Sequence, residues 1–500
     1  MRVPPAVVAV VVAVSVALTG CVGGPPANTS PAAHTLVVGA TLEPPTLDPF
    51  RNTAASIPQV LLYNVYETLV KEDANGQLQP LLAQTWEVSA DRTQYTFHLN
   101  PAAKFASGAA VDAAAVVANI RRVQTDPQLT ETLRAQAAVI ESAEEIDPAQ
   151  VVVTLKNPSI MWLYDMSSTL GMMVDPASAA DLNTASAGSG PYTVKAHHNG
   201  QDVVLAKSGA YWGTPGRFDE VTFRYYSDPN AMNAAMMSGD LDIISNLQAP
   251  DAMPQFADTE RFTTLVGTTN GEVVLGLNHE NKALADLDVR RALTMAIDRR
   301  ALVDTVWAGQ GTLIGTMDVP TDPWYEDLSA TVPYDPDQAR ELLKKAGYGS
   351  GLTLRFRVPN IPYAVKSAQF VASQLRDVGV KTTIDQLEFS RWLTEVLTNG
   401  DYDLTVVAHT EARDLGKFAD KDYYWHNDDP VFDQLYAQAV EAPPDESVAL
   451  MKQAARRLAD QAAAVWLFAL PSIIITKAAI TGVPANAVTL SFDLTAVASR

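Results

Sequence analysis

Outside its carboxylates, this chain has few side chains able to do chemistry: seven histidines and one cysteine stand beside 57 Asp plus Glu in 500 residues. Of His34, His98, His197, His198, His279, His409 and His426, only His197 and His198 are adjacent. Neighbouring strand residues point to opposite faces, so that pair is poorly placed to share a metal. There is no Gly-x-Ser-x-Gly elbow, no phosphate loop ending in Lys-Ser/Thr, no His-Glu-x-x-His and no Cys-x-x-Cys. No set of nucleophile, base and orienting group can be assembled, so a secreted hydrolase is disfavoured, and no catalytic residue, cofactor or metal is expected. With 36 Lys plus Arg the net charge is −21. Phosphate backbones are held by clustered basic residues, so nucleic acid is excluded as a partner. A single cysteine excludes a disulfide framework within the chain.

The elements that must position these groups begin after a leader. Arg2 precedes an apolar run from Ala6 to Leu18, which is too short to span a bilayer as a helix and has the form of a secretory signal. Leu18-Thr19-Gly20-Cys21 follows and resembles the bacterial lipobox, which makes Cys21 the expected lipid attachment point. Residues 21–34, rich in Gly, Pro, Ser and Ala, read as a flexible tether. From Thr35 short strands alternate with longer helices and the chain reads as α/β. Strands are expected at Leu36–Val38, Tyr95–Leu99, Val151–Leu155, Val221–Tyr225, Glu272–Leu277 and Leu352–Val358. In the last, Leu352, Leu354, Phe356 and Val358 form the dry face and Thr353, Arg355 and Arg357 the wet one. Apolar spacing predicts helices over Val289–Trp307, Pro336–Ala346, Tyr363–Val378 and Glu446–Ala464. Gly188 and Gly190 are expected in a turn needing unusual backbone angles, Tyr211-Trp212 in packing, and Arg290 and Arg291 in salt bridges to acids such as Asp298 or Glu280.

The order of several short motifs resembles the family 5 extracellular solute-binding proteins of ABC importers, the oligopeptide, dipeptide and nickel group. The series runs from Thr35-Leu-Val-Val-Gly39 and Glu43-Pro-Pro-Thr-Leu-Asp-Pro49 through Tyr66-Glu67-Thr68-Leu69-Val70, Tyr95-Thr-Phe-His-Leu99 and Lys104-Phe105. It continues with Gly188-Ser-Gly-Pro-Tyr192, Tyr211-Trp212, Met237-Ser-Gly-Asp-Leu-Asp242, Val289-Arg-Arg-Ala-Leu293 and Tyr334-Asp-Pro336. Asn100 and Ala115 depart from the family pattern, and Asp112 remains available as an N-cap.

The resemblance implies a two-lobed periplasmic-binding-protein-like fold, type II and cluster C, with an extra subdomain and a hinge between lobes. Lobe I would comprise 35–66, 186–268 and 475–500, with 67–185 as the subdomain and 269–474 as lobe II. It implies a monomeric, lipid-anchored receptor on the extracytoplasmic face that captures short peptides between its lobes and delivers them to ABC permease and ATPase subunits. Other cargoes (nickel chelate, haem, glutathione, oligosaccharide) and a regulatory lipoprotein without transport stay open. By similarity the loop after the strand near Asp403–Ala408 holds the ligand's α-ammonium, leaving Glu411 and Asp414 as alternatives. Arg413 is a candidate for a ligand carboxylate or for a loop salt bridge to its acidic neighbours. His409, Tyr424 and Trp425 line the same region, and Leu42, Glu43, Pro44, Tyr63 and Asn64 are expected to border the cleft from lobe I.

Overall fold

The computed structural model describes residues 34–500. The expected signal segment, Cys21 and the expected tether up to residue 33 lie outside the described residues. Among the described residues no helix is long and apolar enough to cross a membrane.

The strands are β1 Thr35–Ala40, β2 Val70–Glu72, β3 Leu78–Pro80, β4 Ala83–Val88, β5 Gln94–Leu99, β6 Ile140–Asp147, β7 Gln150–Leu155, β8 Tyr192–His198 and β9 Asp202–Lys207. They continue with β10 Glu220–Tyr225, β11 Ile243–Ile244, β12 Phe262–Leu277, β13 Leu352–Pro359, β14 Val380–Leu387, β15 Leu404–His409 and β16 Val465–Lys477. Ten of them form one sheet in the order β14-β13-β15-β12-β16-β11-β1-β10-β9-β8. In the expected division the β11 to β8 side falls to lobe I and the β14 to β15 side to lobe II. The two longest strands, β12 and β16, are antiparallel and run through both. The expected lobe borders at 268/269 and 474/475 fall inside these two strands.

Their ladder breaks in the middle. Thr268 pairs with Pro471 and the next pair is Glu272 with Ala469, so three residues of β12 face one of β16. A bulge bends a sheet, and Pro471 cannot donate to the ladder, so the crossing is weakest at this point. Glu272 is the first paired residue on the lobe II side, and across β15 it stands opposite His409.

In lobe II the sheet is covered on both faces. Val273, Leu275 and Val406 pack with Leu293, Val303, Phe356 and Val371, whereas Val274 and Val407 pack with Trp324, Trp392, Tyr424, Trp425 and Phe432. The period of two assigns Glu272 and His409 to the second, aromatic face. The four-stranded sheet β4-β5-β7-β6 and the helix Ala113–Thr125 share one core with lobe I, in which Phe97, Val116 and Val153 join Leu36, Val38 and Phe223. Asp112 does cap that helix, accepting from Ala115 N at 2.9 Å.

Several local expectations are corrected. The stretch Val289–Trp307 is two helices, Leu287–Met295 and Arg299–Trp307, because the Asp298 carboxylate accepts from Ala301 N and starts a new helix. Both bury their apolar stripe in one cluster, so the spacing looked continuous. The last predicted helix runs Pro444–Asp460 and is over before Ala462, which has φ +43°. Arg357 is buried instead of wet, because Asp385, Glu395 and Asp401 neutralise it in place. Arg290 and Arg291 donate to carbonyls instead of acids: Arg290 to Gln461, Leu284 and Ala285, Arg291 to Asp460. Gly188 and Gly190 have ordinary φ and are needed for close approach, since a Cβ there would lie 1.9 Å from Val65 O and 2.5 Å from Asn64 O.

Candidate functional site: buried acids beside the crossing strands

β15 ends at His409, and the chain then turns through Arg413, in the left-handed region at φ +59°, into a short helical turn, Asp414–Ala419. The polar residues of this loop separate into two environments.

Arg413 reaches the subdomain. Its guanidinium pairs with Glu72 at 2.6 and 3.4 Å, approaches Gly76 O at 3.5 Å and lies 3.6 Å above the Tyr164 ring. Burial works against the Arg413 charge, but the field and hydrogen bond of Glu72, with Asp322 behind it, outweigh burial and raise its pKa. The same side of the subdomain touches lobe II again where Ile160 N donates to Val440 O at 3.1 Å and Arg92 donates to the Ala442 carbonyl. Tyr63 joins these contacts: its hydroxyl donates to Ser167 O at 2.6 Å and accepts from Glu72 N at 3.1 Å.

Asp414 stays within lobe II. It is 6% exposed, and neither carboxylate oxygen meets a hydrogen-bond donor; Oδ2 is 3.6 Å from His409 Nδ1. The other ring nitrogen of His409 is 2.9 Å from the Tyr424 hydroxyl. Burial chiefly, with Lys417 adding and Glu411 opposing, lowers the His409 pKa to about 4, so its imidazole is neutral at pH 7. Behind it Trp425 stacks on Phe418, with ring centroids 4.6 Å apart, and tilts against Tyr424 at 4.3 Å. Glu411 is exposed at the rim. One ligand atom each from His409, Glu411 and Asp414 lie within 4.8 Å of one another, a spacing that can accept a cation.

Three further acids, which the sequence reading did not single out, crowd the same place. Glu272 and Asp318 are each 1% exposed and each has a carboxylate oxygen without a partner. The other Asp318 oxygen accepts from Trp324 Nε1 at 2.8 Å. Asp322 accepts from Val319 N at 2.9 Å. Burial pushes all of them up: Asp322 to about 6, Asp318 well above the usual range with Asp322 adding, and Glu272 likewise with Asp414, Asp322 and Asp318 adding. Asp414 is raised by burial and then by Glu411, against Lys417. The available signal was small: a Glu heading an apolar strand, and two acids in the Pro-containing run Met317-Asp-Val-Pro-Thr-Asp-Pro-Trp324.

The remaining expected residues are spread out. Glu43 accepts from Gly200 N at 2.9 Å and pairs with His197 Nε2 at 3.1 Å, beside the turn after β8. Leu42 is exposed and Pro44 buried. Asn64 ties the C-terminal segment to lobe I, donating to Phe492 O and accepting from Leu494 N, both at 2.9 Å. His409, Glu411, Asp414, Tyr424 and Trp425 are thus brought together, Arg413 and Tyr63 meet at Glu72, and Leu42, Glu43, Pro44 and Asn64 make their contacts elsewhere.

Known proteins resemble this chain over most of its length. The model for bacterial extracellular solute-binding proteins, family 5 Middle, matches residues 77–417. The glutathione-binding protein GsiB of Escherichia coli O6:K15:H31 is 30% identical over 379 residues, covering 74% of this chain and 72% of that one. The agropinic acid complex of the binding protein AgaA from A. tumefaciens R10 superposes with TM-score 0.78 at 26% identity, over 93% of this chain and 99% of that one. The binding protein DppA from Helicobacter pylori, in complex with the peptide STSA, shares the fold with TM-score 0.79 at 20% identity, over 93% and 98%.

Proposed function

The chain belongs to the family 5 bacterial extracellular solute-binding proteins, extracytoplasmic and non-enzymatic partners of ABC permeases, and from that premise we propose that its solute is a short peptide whose α-ammonium is held by Asp414. The observation that carries this reading is the pair of Asp414 oxygens, buried and without a donor. Burying a carboxylate without compensation is costly, and an ammonium supplies both the charge and the hydrogen bonds. Glu411, at the rim, meets the ammonium on entry. Glutathione, the solute named for GsiB, is a tripeptide with a free ammonium and falls within the same class.

The binding event is a closure. A solute that touches both lobes only when they are together favours the closed form by its differential affinity. Arg413 and Glu72 meet only if lobe II and the subdomain do, so solute and latch reinforce one another. The Thr268–Glu272 bulge is where the crossing strands give. Cys21, lipidated, would keep the receptor beside its permease.

The test is calorimetric titration of the full chain with Ala-Ala-Ala and with its N-acetylated form. Acetylation should weaken binding about a hundredfold or more, as should Asp414→Asn, because truncating one partner of a buried charged hydrogen bond costs about 2–5 kcal/mol. Equal binding of the two tripeptides overturns the reading. Lipid attachment is read by detergent phase partition, where Cys21→Ser should move the protein to the aqueous phase. A second reading, a chelated divalent metal, is favoured by the clustering of His409, Glu411 and Asp414. Binding of a nickel–histidine chelate, with a ligand-field band lost in His409→Ala, would support it in place of a peptide.

A further inference from the structure

One ammonium on Asp414 leaves other buried acids beside it uncompensated. Glu72 has Arg413, and Asp322 has the Val319 amide. Glu272 and Asp318 each keep an oxygen with no donor, and among the described residues neither forms an ion pair with Lys or Arg. These acids reach one place from different segments. Asp414 approaches His409 from the loop, whereas Glu272 stands across from His409 in the β12–β15 ladder, on the same face of the sheet. Asp318 enters from a third segment and is fixed by Trp324.

A protein gains no stability from burying acids in this condition, and hydrophobic replacements would pack as well at lower cost. Such groups make sense where something from outside completes them. From this geometry we infer that the captured solute brings two positive charges into lobe II, its α-ammonium to Asp414 and a second ammonium or guanidinium to Glu272 and Asp318, as in a peptide that begins with Lys or Arg. The inference rests on the peptide reading of Asp414 and deepens it by naming the first side chain. A diamine shares the chemistry without the peptide, and the test separates the two.

The full chain is titrated by calorimetry with Lys-Ala-Ala, with norleucine-Ala-Ala, which has a similar side-chain length without the charge, with the N-acetylated form of each, and with 1,5-diaminopentane. Lys-Ala-Ala should bind at least tenfold more tightly than norleucine-Ala-Ala, and Glu272→Gln should shrink that ratio toward one; its folding is checked by circular dichroism. The comparison between ligands does not depend on the variant. Equal affinity of the two tripeptides, or preference for norleucine, overturns the second charge, while loss on N-acetylation in both would leave the peptide reading standing. Binding of the diamine with no binding of any tripeptide overturns the peptide reading and supports two positive charges on these acids. Binding of none of the probes overturns both.

Discussion

Two buried carboxylate sites, one in each half of the molecule, are built in opposite ways. Glu67, in the Tyr66-Glu67-Thr68 motif, is 1% exposed and accepts from the Ser189 hydroxyl at 2.8 Å, Trp212 Nε1 at 2.9 Å and the Tyr211 hydroxyl at 2.8 Å. Three motifs distant in sequence thus meet on one acid. Asp414, Glu272 and Asp318 are as deeply buried, yet between them they keep four carboxylate oxygens without a donor. A satisfied buried acid organises the fold around itself. An unsatisfied one calls for an explanation that its own chain does not supply, and a missing hydrogen bond singles it out where burial and charge alone do not.

The contrast can be broken or sharpened by experiment. The largest effect is expected for Arg413→Ala, which leaves Glu72 without its cation; losing one member of a buried pair costs about 3–5 kcal/mol. Because opening the lobes lets water reach Glu72, that cost should appear as a more open molecule, with a larger radius of gyration in X-ray scattering and weaker solute binding. An unchanged radius and affinity would show that the Arg413–Glu72 pair is no latch.

Next is a pH effect that belongs to Glu67. Burial raises its pKa to about 7, against the three hydrogen bonds that lower it. A carboxyl raised in the folded state adds stability in full below its unfolded pKa, and that contribution is lost as pH rises through about 7. The shift from 4.5 to about 7 corresponds to about 3 kcal/mol. Urea unfolding at pH 5 and pH 8 should therefore show a steeper loss for the natural protein than for Glu67→Gln, and parallel curves would reject the assignment.

Glu67→Ala orphans three donors and should cost about 2 kcal/mol of stability, with the solute affinity of the folded protein unchanged. Asp414→Asn should do the reverse: removing an uncompensated buried acid leaves stability unchanged or about 1 kcal/mol higher, while affinity falls. Should both variants lose stability alike, the two sites would not differ in kind.

Much of this was legible in the chain before folding. Alternation in Tyr95–Leu99 and Leu352–Val358 marks strands because a half-buried sheet face demands it, and both are found within a residue of their expected ends. The ordered motifs pointed to the two-lobed fold, and the loop after β15 was marked as a site. Most side-chain expectations that failed did so through distance. Arg357 looked wet because its three acids lie 28 to 44 residues away. Arg413 was read as a partner for a ligand carboxylate or for the acids beside it, whereas in the fold it pairs with Glu72, 341 residues away. Gly188 and Gly190 were assigned to backbone angle when the cause is the nearness of Val65 and Asn64.

The sequence by itself determined the class of molecule: strand and helix content, a body with no catalytic set, an acidic surface, and a lone Cys21 behind an apolar run. Only the tertiary structure decided which of the 57 acids are buried without a hydrogen-bond donor. Periodicity records a side chain's relation to its own element, whereas a buried carboxylate is defined by what does and does not reach it from elsewhere. That is why Glu272, Asp318 and Asp414, from three separate segments, became one site only when the chain folded.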